Sequence, residues 1–175
     1  SRPLLLFPIG AARQAKLVKQ QTAHRGLVFV DGAHALGHVS IDVGRFEAAG
    51  VDFYVMDGHK WYMSPHGSAL LWARPTMQSV LKPDGISSEN GMGTPYQSQF
   101  DYIGTRDYGP WCTFGDAVRF REEKLGGEAR IVSYLHELGT YAYSVLTSRW
   151  GTEAAAPVSM MGGLLTVGLP IPRTW

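Results

Sequence analysis

The chain has 175 residues, of which 45% are hydrophobic, and this composition excludes a disordered segment and suits one folded domain. Its 16 basic and 15 acidic residues give a formal net charge of +1, so neither nucleic acid nor a membrane is expected as a partner. The single cysteine, Cys112, excludes an internal disulfide and favours a reducing compartment, which we take to be the cytoplasm.

The pattern of apolar runs and breakers predicts an α/β fold. Residues 11–24 are rich in Ala, Lys, Gln and Leu and predict a helix, whereas the short apolar runs 27–30 and 51–56 predict buried strands. A short helix is predicted between these strands, over 43–49, where a glycine follows the last residue. Strand, helix and strand in this order are typical of an α/β sheet.

The rest of the chain is predicted to be mainly helical. A third strand over 67–73 is followed by residues 76–115, whose Gly, Pro, Ser and Tyr content predicts a long irregular loop. Two helices are predicted next, over 116–125 and 128–149, and a last strand over 164–169. The chain starts with Ser rather than Met and stops soon after that strand, so we expect a fragment of a larger protein.

Polar residues follow the first two predicted strands at the point where each strand ends. Residues 31–34 read Asp-Gly-Ala-His, and residues 57–61 read Asp-Gly-His-Lys-Trp. Ligands of open α/β sheets bind beyond the carboxyl ends of the strands, and neighbouring parallel strands would bring these ends together. The sequence therefore predicts one pocket that holds two Asp, two His and a Lys.

The lysine of this predicted pocket, Lys60, indicates a particular chemistry. Burial at a strand end would favour its neutral amine, which attacks an aldehyde to form a Schiff base. Pyridoxal 5′-phosphate (PLP) is a cofactor of this kind, and it accepts electrons from the α-carbon of a bound amino acid. A carboxylate beside the pyridine nitrogen keeps that nitrogen protonated, and Asp31 is the natural candidate for this position.

Two other functions fit parts of the same pattern. The carboxylates and imidazoles could serve a metal-dependent hydrolase, with Asp31, His34 and His59 as ligands. That hypothesis leaves Lys60 unexplained, and Gly37 interrupts the helix that would bring a further histidine to the same face. The chain could also be a non-catalytic fragment or structural subunit, in which the motifs act as scaffold only.

The two motifs resemble those of a known family. Residues 30–35 and 57–61 resemble the cofactor motifs of the aminotransferase class V family of fold-type I PLP enzymes, and Gly-Thr-Arg-Asp at 104–107 resembles a segment of its isopenicillin N epimerase-like branch. The resemblance implies the large PLP-binding domain, a mostly parallel sheet with flanking helices, of which 1–150 would be the C-terminal part. Residues 151–175 would then be a linker and the first strand of a truncated small domain.

The resemblance also implies a role for each motif residue. Lys60 would bind the cofactor covalently, with Asp31 beside the pyridine nitrogen and Ala33 against the flat face of the ring. His34 would hydrogen-bond the ring hydroxyl, and His59 would bind the phosphate. The family pattern has Ser or Asn where this chain has a carboxylate, Asp57, which is expected to turn away from the phosphate or to weaken its binding.

The Gly-Thr-Arg-Asp segment implies a homodimer with shared active sites. Thr105 resembles a threonine that reaches the phosphate of the neighbouring subunit, and Arg106 is suited to bind a substrate carboxylate. The implied function is that of an epimerase or carbon–sulfur lyase at the α-carbon of an amino acid, with Lys60 removing the α-proton in both. Cys112 does not match the position of a desulfurase's catalytic cysteine, and we expect it to be at least partly buried.

Overall fold

A computed structural model describes residues 6–23, 25–85, 95–102 and 104–171. Within these residues no helix is long and apolar enough to cross a membrane. The elements, in chain order, are α1 (Leu6–Gln21), β1 (Phe29–Asp31), a 3-10 helix (Val43–Arg45) continued by α2 (Phe46–Ala49), β2 (Phe53–Asp57), β3 (Ala69–Ala73), a 3-10 helix (Pro75–Val80), α3 (Ser98–Asp101), α4 (Gly109–Cys112), α5 (Phe114–Leu125), α6 (Glu128–Trp150) and a 3-10 helix (Val158–Met160).

Helix α1 both starts and ends earlier than predicted, at Leu6 and Gln21. Thr22 explains the early end, because its hydroxyl donates to the carbonyl of Val18 at 2.7 Å and accepts the N–H of Gly26 at 2.9 Å. This side chain satisfies backbone groups that a further helical turn would otherwise have to pair. The predicted last residue of the helix, His24, lies outside the described residues.

The three strands form one sheet in the order β1-β2-β3. The predicted parallel pairing of the first two strands is confirmed, with Asp31 opposite Val55. Strand β3 runs antiparallel to β2, with Ala69 opposite Asp57. The connection 58–68 between them holds no helix and is too short for the crossover that a parallel pair would need.

The core lies on one face of this sheet. Tyr54 of β2 stacks on Phe46 of α2 with ring centroids 4.5 Å apart, and Trp72 of β3 meets Phe46 edge-on at 5.3 Å. Ala15 of α1, which is 1% exposed, belongs to the same cluster. The alternation of side chains along β2 therefore directs Tyr54 toward the helices.

A buried ion cluster joins α1 to the start of β2. The Asp52 carboxylate, 1% exposed, accepts from Lys19 Nζ at 2.5 Å and from the Val28 N–H at 2.8 Å. Arg74 Nε lies 3.3 Å from its other oxygen. Burial by itself would raise the pKa of Asp52, but the Lys19 and Val28 hydrogen bonds and the two positive charges outweigh burial and lower it.

The helices of the second half agree with prediction more closely than the loops do. Helix α5 ends at Leu125, as predicted, and is capped by Gly126, whose φ of 84° is left-handed. Helix α6 extends one residue beyond the predicted end. The predicted loop over 76–115 is partly wrong, since short helices lie in its described parts. The predicted strand over 164–169 is also wrong, because there is only an antiparallel bridge between Ala154 and Val167.

Candidate active site

The two polar strand ends meet at one edge of the sheet. Because β1 and β2 are adjacent and parallel, the residues that follow them leave the sheet on the same side. The Gly32 N–H donates to the Val55 carbonyl at 2.9 Å, and the Asp57 N–H donates to the Ala33 carbonyl at 3.4 Å. The two motifs that the sequence predicted to form one pocket are therefore joined through their backbones.

Glycines allow this close approach. Gly37 has a φ of +76°, and a Cβ atom there would come within 2.8 Å of the Trp61 carbonyl oxygen. A Cβ atom at Gly32 would come within 2.1 Å of the Tyr54 ring, and one at Gly58 within 2.4 Å of the Phe114 ring. Packing thus requires the glycine of each Asp-Gly motif. Gly37 is required both by packing and by its left-handed backbone conformation.

Lys60 is held by the carboxylate of the strand end that precedes it. Its Nζ lies 2.8 Å from Asp57 Oδ2, and the Lys60 side chain is 32% exposed. The sequence predicted that this amine would be removed from solvent. In the structure the amine forms an ion pair, and the side chain keeps part of its contact with solvent.

Asp57 lies close to two other residues of its motif, Lys60 and His59. The same oxygen that pairs with Lys60 lies 3.8 Å from His59 Nε2. His59 Nδ1 donates to the Ser68 carbonyl at 2.8 Å, so its proton is on Nδ1 when the ring is neutral. This leaves Nε2 of the neutral His59 ring as an acceptor on the side of Asp57.

His34 and Trp61 link the side chains of the two motifs. Trp61 Nε1 donates to His34 Nδ1 at 3.1 Å, and the Trp61 ring stacks on His38 with centroids 4.2 Å apart. His38 Nδ1 donates to the His34 carbonyl at 2.9 Å, and its Nε2 accepts from the Gly163 N–H at 2.5 Å. Burial lowers the pKa of His38, outweighing the opposite effect of its bond to His34, so His38 is neutral in this arrangement.

Asp31 forms a turn at the end of β1. Its Oδ1 accepts from the Ala33 N–H at 3.0 Å, and the residue is exposed, whereas Ala33 is half-buried. The negative charge of Asp31 also contributes, after burial, to the raised pKa of the Tyr54 hydroxyl. Asp31 thus has the local role that an Asp after a strand often has, and it remains accessible at the edge of the sheet where Lys60 lies.

Arg121 is the residue that sequence reasoning missed. It lies on α5, is 1% exposed, and donates to the Gly37 carbonyl at 3.1 Å and to the Trp61 carbonyl at 2.8 Å. Its Nη2 also lies 2.5 Å from Glu128 Oε2. One guanidinium therefore holds the loops after β1 and β2 together, while the carboxylate balances its charge. Because its loop acceptors are backbone carbonyls, no residue type in the sequence indicated this role.

The Gly-Thr-Arg-Asp segment stands apart from the strand-end motifs. Thr105 and Arg106 are exposed, and the Arg106 guanidinium lies 4.0 Å from the Trp111 ring centroid. In the described part of the chain, neither residue has a hydrogen bond or an ion pair with the motifs. The prediction that Cys112 is at least partly buried is wrong, since it is an exposed free thiol at the last residue of α4.

The metal-hydrolase alternative finds no ligand cluster. Among the described residues, no group of three or more His, Cys, Asp and Glu side chains could hold a metal ion. The Nδ1 atoms of His34 and His59 both have partners within the protein.

Comparison with known proteins identifies the family. The model of the family "Aminotransferase class-V" matches residues 10–167 of this chain. The chain belongs to the aminotransferase class V family. The family resemblance that the motifs indicated is thereby confirmed, and enzymes of this family use PLP.

Two relatives illustrate the similarity of this class V chain to characterised proteins. It is 31% identical over 171 residues to an L-cysteine desulfhydrase of Arabidopsis thaliana, covering 97% of this chain and 36% of the relative. It is 30% identical over 172 residues to the isopenicillin N epimerase of Streptomyces clavuligerus, covering 89% of this chain and 42% of the relative. The chain thus spans well under half the length of these relatives.

A solved structure confirms the fold of the class V chain. The apo cysteine desulfurase of Thermococcus onnurineus NA1 superposes with a TM-score of 0.69 at 18% sequence identity. The match covers 91% of this chain and 40% of the desulfurase. The α/β fold predicted from the sequence is that of the fold-type I class V enzymes. The sheet was expected to be mostly parallel, and the three described strands form a small mixed sheet.

Proposed function

We propose that this chain is the lysine-bearing part of a PLP-dependent enzyme that acts at the α-carbon of an amino acid. The observation that carries the proposal is the convergence of Lys60 with the Asp31–His34 motif at the carboxyl edge of two parallel strands, inside a chain of the class V family. A primary amine on a strand-end loop is what covalent attachment to an aldehyde requires.

The donor set at this edge fits PLP. Lys60 supplies the amine for the aldehyde, and Asp31 supplies a carboxylate for the protonated pyridine nitrogen. His34 supplies an imidazole N–H for the ring hydroxyl, and His59 supplies a second imidazole for the phosphate. Ala33 is small enough to lie against a flat ring.

Asp57 is the residue that fits this cofactor least well as a phosphate neighbour, but it suits another role. Bound PLP supplies an electron sink for the α-carbon of the substrate. Lys60 Nζ is the base that accepts the α-proton, and Asp57, 2.8 Å away, stabilises the ammonium group that results.

Among reactions at the α-carbon, the desulfhydrase relative supports loss of a sulfur group from a cysteine-like substrate. Epimerisation is the second candidate, supported by the epimerase relative and by its coverage of 89% of this chain. Both begin with removal of the α-proton, which Lys60 would perform. Release of sulfide from L-cysteine would distinguish the lyase from the epimerase.

The substitution Lys60→Ala is expected to abolish covalent cofactor attachment in the full-length protein. Borohydride reduction of the PLP-loaded protein, followed by peptide mapping, should leave the pyridoxyl group on Lys60 and on no other lysine. Exchange of the substrate's α-proton with deuterium from the solvent should fall by about 100-fold or more, the range typical of lost general-base catalysis.

The control for this experiment is Lys82→Ala, because Lys82 is exposed and its amine contacts only Gln99, at 3.4 Å, among the bonds described for it. This variant should keep both the label and the proton exchange. A pyridoxyl label on a lysine other than Lys60, or a label retained after Lys60→Ala, would overturn the assignment.

We further propose that the enzyme is a homodimer in which Thr105 reaches the phosphate bound by the other subunit. The exposure of Thr105, away from the strand-end motifs of its own chain, supports this arrangement. Arg106, exposed beside it, is proposed to bind the substrate carboxylate. The lone thiol of Cys112 supports a reducing compartment, for which we propose the cytoplasm.

Mixed subunits test the dimer. Lys60→Ala and Thr105→Ala subunits, unfolded and refolded together, should recover roughly a quarter of wild-type activity, because half of the dimers are mixed and each mixed dimer has one complete pocket. The matched control mixes Lys60→Ala with subunits that carry both substitutions, and it should recover none. Absence of recovery, with mixed dimers present by native mass spectrometry, would place Thr105 outside the partner's pocket.

A further inference from the structure

Trp61 contacts both histidines of the turn that follows β1. Its indole N–H points at the ring of His34, and its flat face covers the ring of His38 at an interplanar angle of 11°. An indole N–H is a donor only, so the nitrogen it meets at 3.1 Å, His34 Nδ1, is the acceptor and has no proton. A neutral His34 must then have its proton on Nε2.

From this contact we infer that Trp61 is a positioning residue, which fixes His34 in the tautomer protonated on Nε2. In the proposed enzyme, on which this last step rests, the Nε2–H of His34 is the donor that meets an anionic ring oxygen of the cofactor. Without the indole N–H, the proton could move to Nδ1, and Nε2 would then present a lone pair to that oxygen. Two lone pairs facing each other would weaken binding at this position.

Contacts to its backbone and to its ring hold Trp61 in place. Its backbone carbonyl accepts from Arg121 at 2.8 Å, which fixes the loop that carries it. Its ring rests on His38, which is itself anchored by its two ring nitrogens to the His34 carbonyl and the Gly163 N–H. The His34 residue is therefore held at its backbone by His38 and at its ring by Trp61.

A buried, neutral His38 matters to this arrangement because the indole stacks on it. Its Nδ1 donates and its Nε2 accepts, so it uses the opposite tautomer to the one inferred for His34. The two histidines, four residues apart, are thus expected to carry their protons on different nitrogens. This opposition can be measured directly, without any cofactor.

The test is ¹⁵N NMR of the full chain labelled at histidine, at about pH 8, where histidines are neutral. The ¹⁵N shifts separate protonated from unprotonated ring nitrogens, and loss of a signal in His34→Ala assigns the residue. The wild type should show His34 protonated on Nε2 and His38 on Nδ1. In Trp61→Phe, which keeps a ring over His38 but lacks the indole N–H, the share of His34 protonated on Nδ1 should rise about fivefold.

The control variant is Trp111→Phe, because Trp111 lies on α4 and contacts Arg106 rather than either histidine. It should leave the His34 tautomer unchanged, and the His38 tautomer should be unchanged in both variants. The inference fails if wild-type His34 is protonated on Nδ1, or if Trp61→Phe leaves its tautomer ratio as in the wild type.

A second measurement covers the case in which Trp61→Phe does not fold. In His34→Ala, the Trp61 indole N–H loses its acceptor, and its exchange with solvent should speed up by about fivefold. An unchanged exchange rate would contradict the hydrogen bond. None of these measurements uses PLP, so they can succeed while the proposed cofactor fails, or fail while it succeeds.

Discussion

The substitution Arg121→Met is expected to lower the free energy of unfolding by about 3 to 5 kcal/mol. Methionine fills much of the same volume but donates no hydrogen bond, so the carbonyls of Gly37 and Trp61 would lose the donor that joins them. The Glu128 carboxylate would lose its partner as well. Because these carbonyls belong to the loops after β1 and β2, the same change should separate the two halves of the proposed site.

Urea denaturation followed by circular dichroism measures this loss. The matched control is Arg119→Met on the same helix, because Arg119 is 65% exposed and pairs only with the exposed Asp116. An exposed pair of this kind contributes little, and its loss should cost less than about 1 kcal/mol. If Arg121→Met costs no more than Arg119→Met, Arg121 does not hold the loops together.

The substitution Asp52→Asn is expected to have an effect of similar size, about 3 to 5 kcal/mol at neutral pH. Asparagine keeps the shape of the side chain but leaves Lys19, which is 8% exposed, without its counter-charge. Arg74, whose Nε lies 3.3 Å from the other Asp52 oxygen, loses part of its charge balance too. The cluster joins α1 to β2, so its loss should loosen α1 first.

The pH dependence of stability gives Asp52 a second test. Its pKa is lower in the folded protein than the ordinary value of 3.8, so the unfolded chain binds the proton more readily. The stabilisation by Asp52 is therefore fully present above about pH 4 and is lost as the pH falls through the folded-state pKa. Acid unfolding of Asp52→Asn should lack this component.

The control for Asp52 is Asp42→Asn, since Asp42 is exposed and pairs with Arg45, whose side chain is 69% exposed. Asparagine can also keep the hydrogen bond that Asp42 accepts from the Gly44 N–H. This variant should change the free energy of unfolding by less than about 1 kcal/mol and leave the acid profile unaltered. Equal losses in the two variants would mean that the buried cluster contributes no more than a surface pair.

Much of the site's location could be predicted from local sequence. Short apolar runs ended by Asp-Gly predicted β1 and β2, and the parallel pairing of neighbouring strands then placed Asp31 and Lys60 at one edge of the sheet. The match of the class V family over 10–167 confirms the resemblance that those motifs indicated. These inferences succeeded because strand formation follows local apolar patterns, and consecutive strands joined by a short crossover usually lie side by side in the sheet.

The environment of each site residue could not be predicted in this way. Lys60 was expected to be desolvated, yet its amine pairs with Asp57 and keeps 32% exposure. Asp57 lies 2.8 Å from Lys60 Nζ and 3.8 Å from His59 Nε2, and its motif indicated neither contact. Whether a side chain at a strand end is buried or paired depends on how the following loop folds back, and such loops have no periodic signal.

The sequence by itself therefore determined the α/β fold, because local apolar patterns indicate it. It also determined the family and the residues of the proposed chemistry, because short motifs identify them. The tertiary structure alone decided how the motifs are held: Arg121 reaches Gly37 and Trp61 across 84 and 60 residues of chain. The loop acceptors of Arg121 are backbone carbonyls, which every residue has, so the residue types at these positions do not indicate the contact. Contacts of this kind exist only once distant segments have packed together.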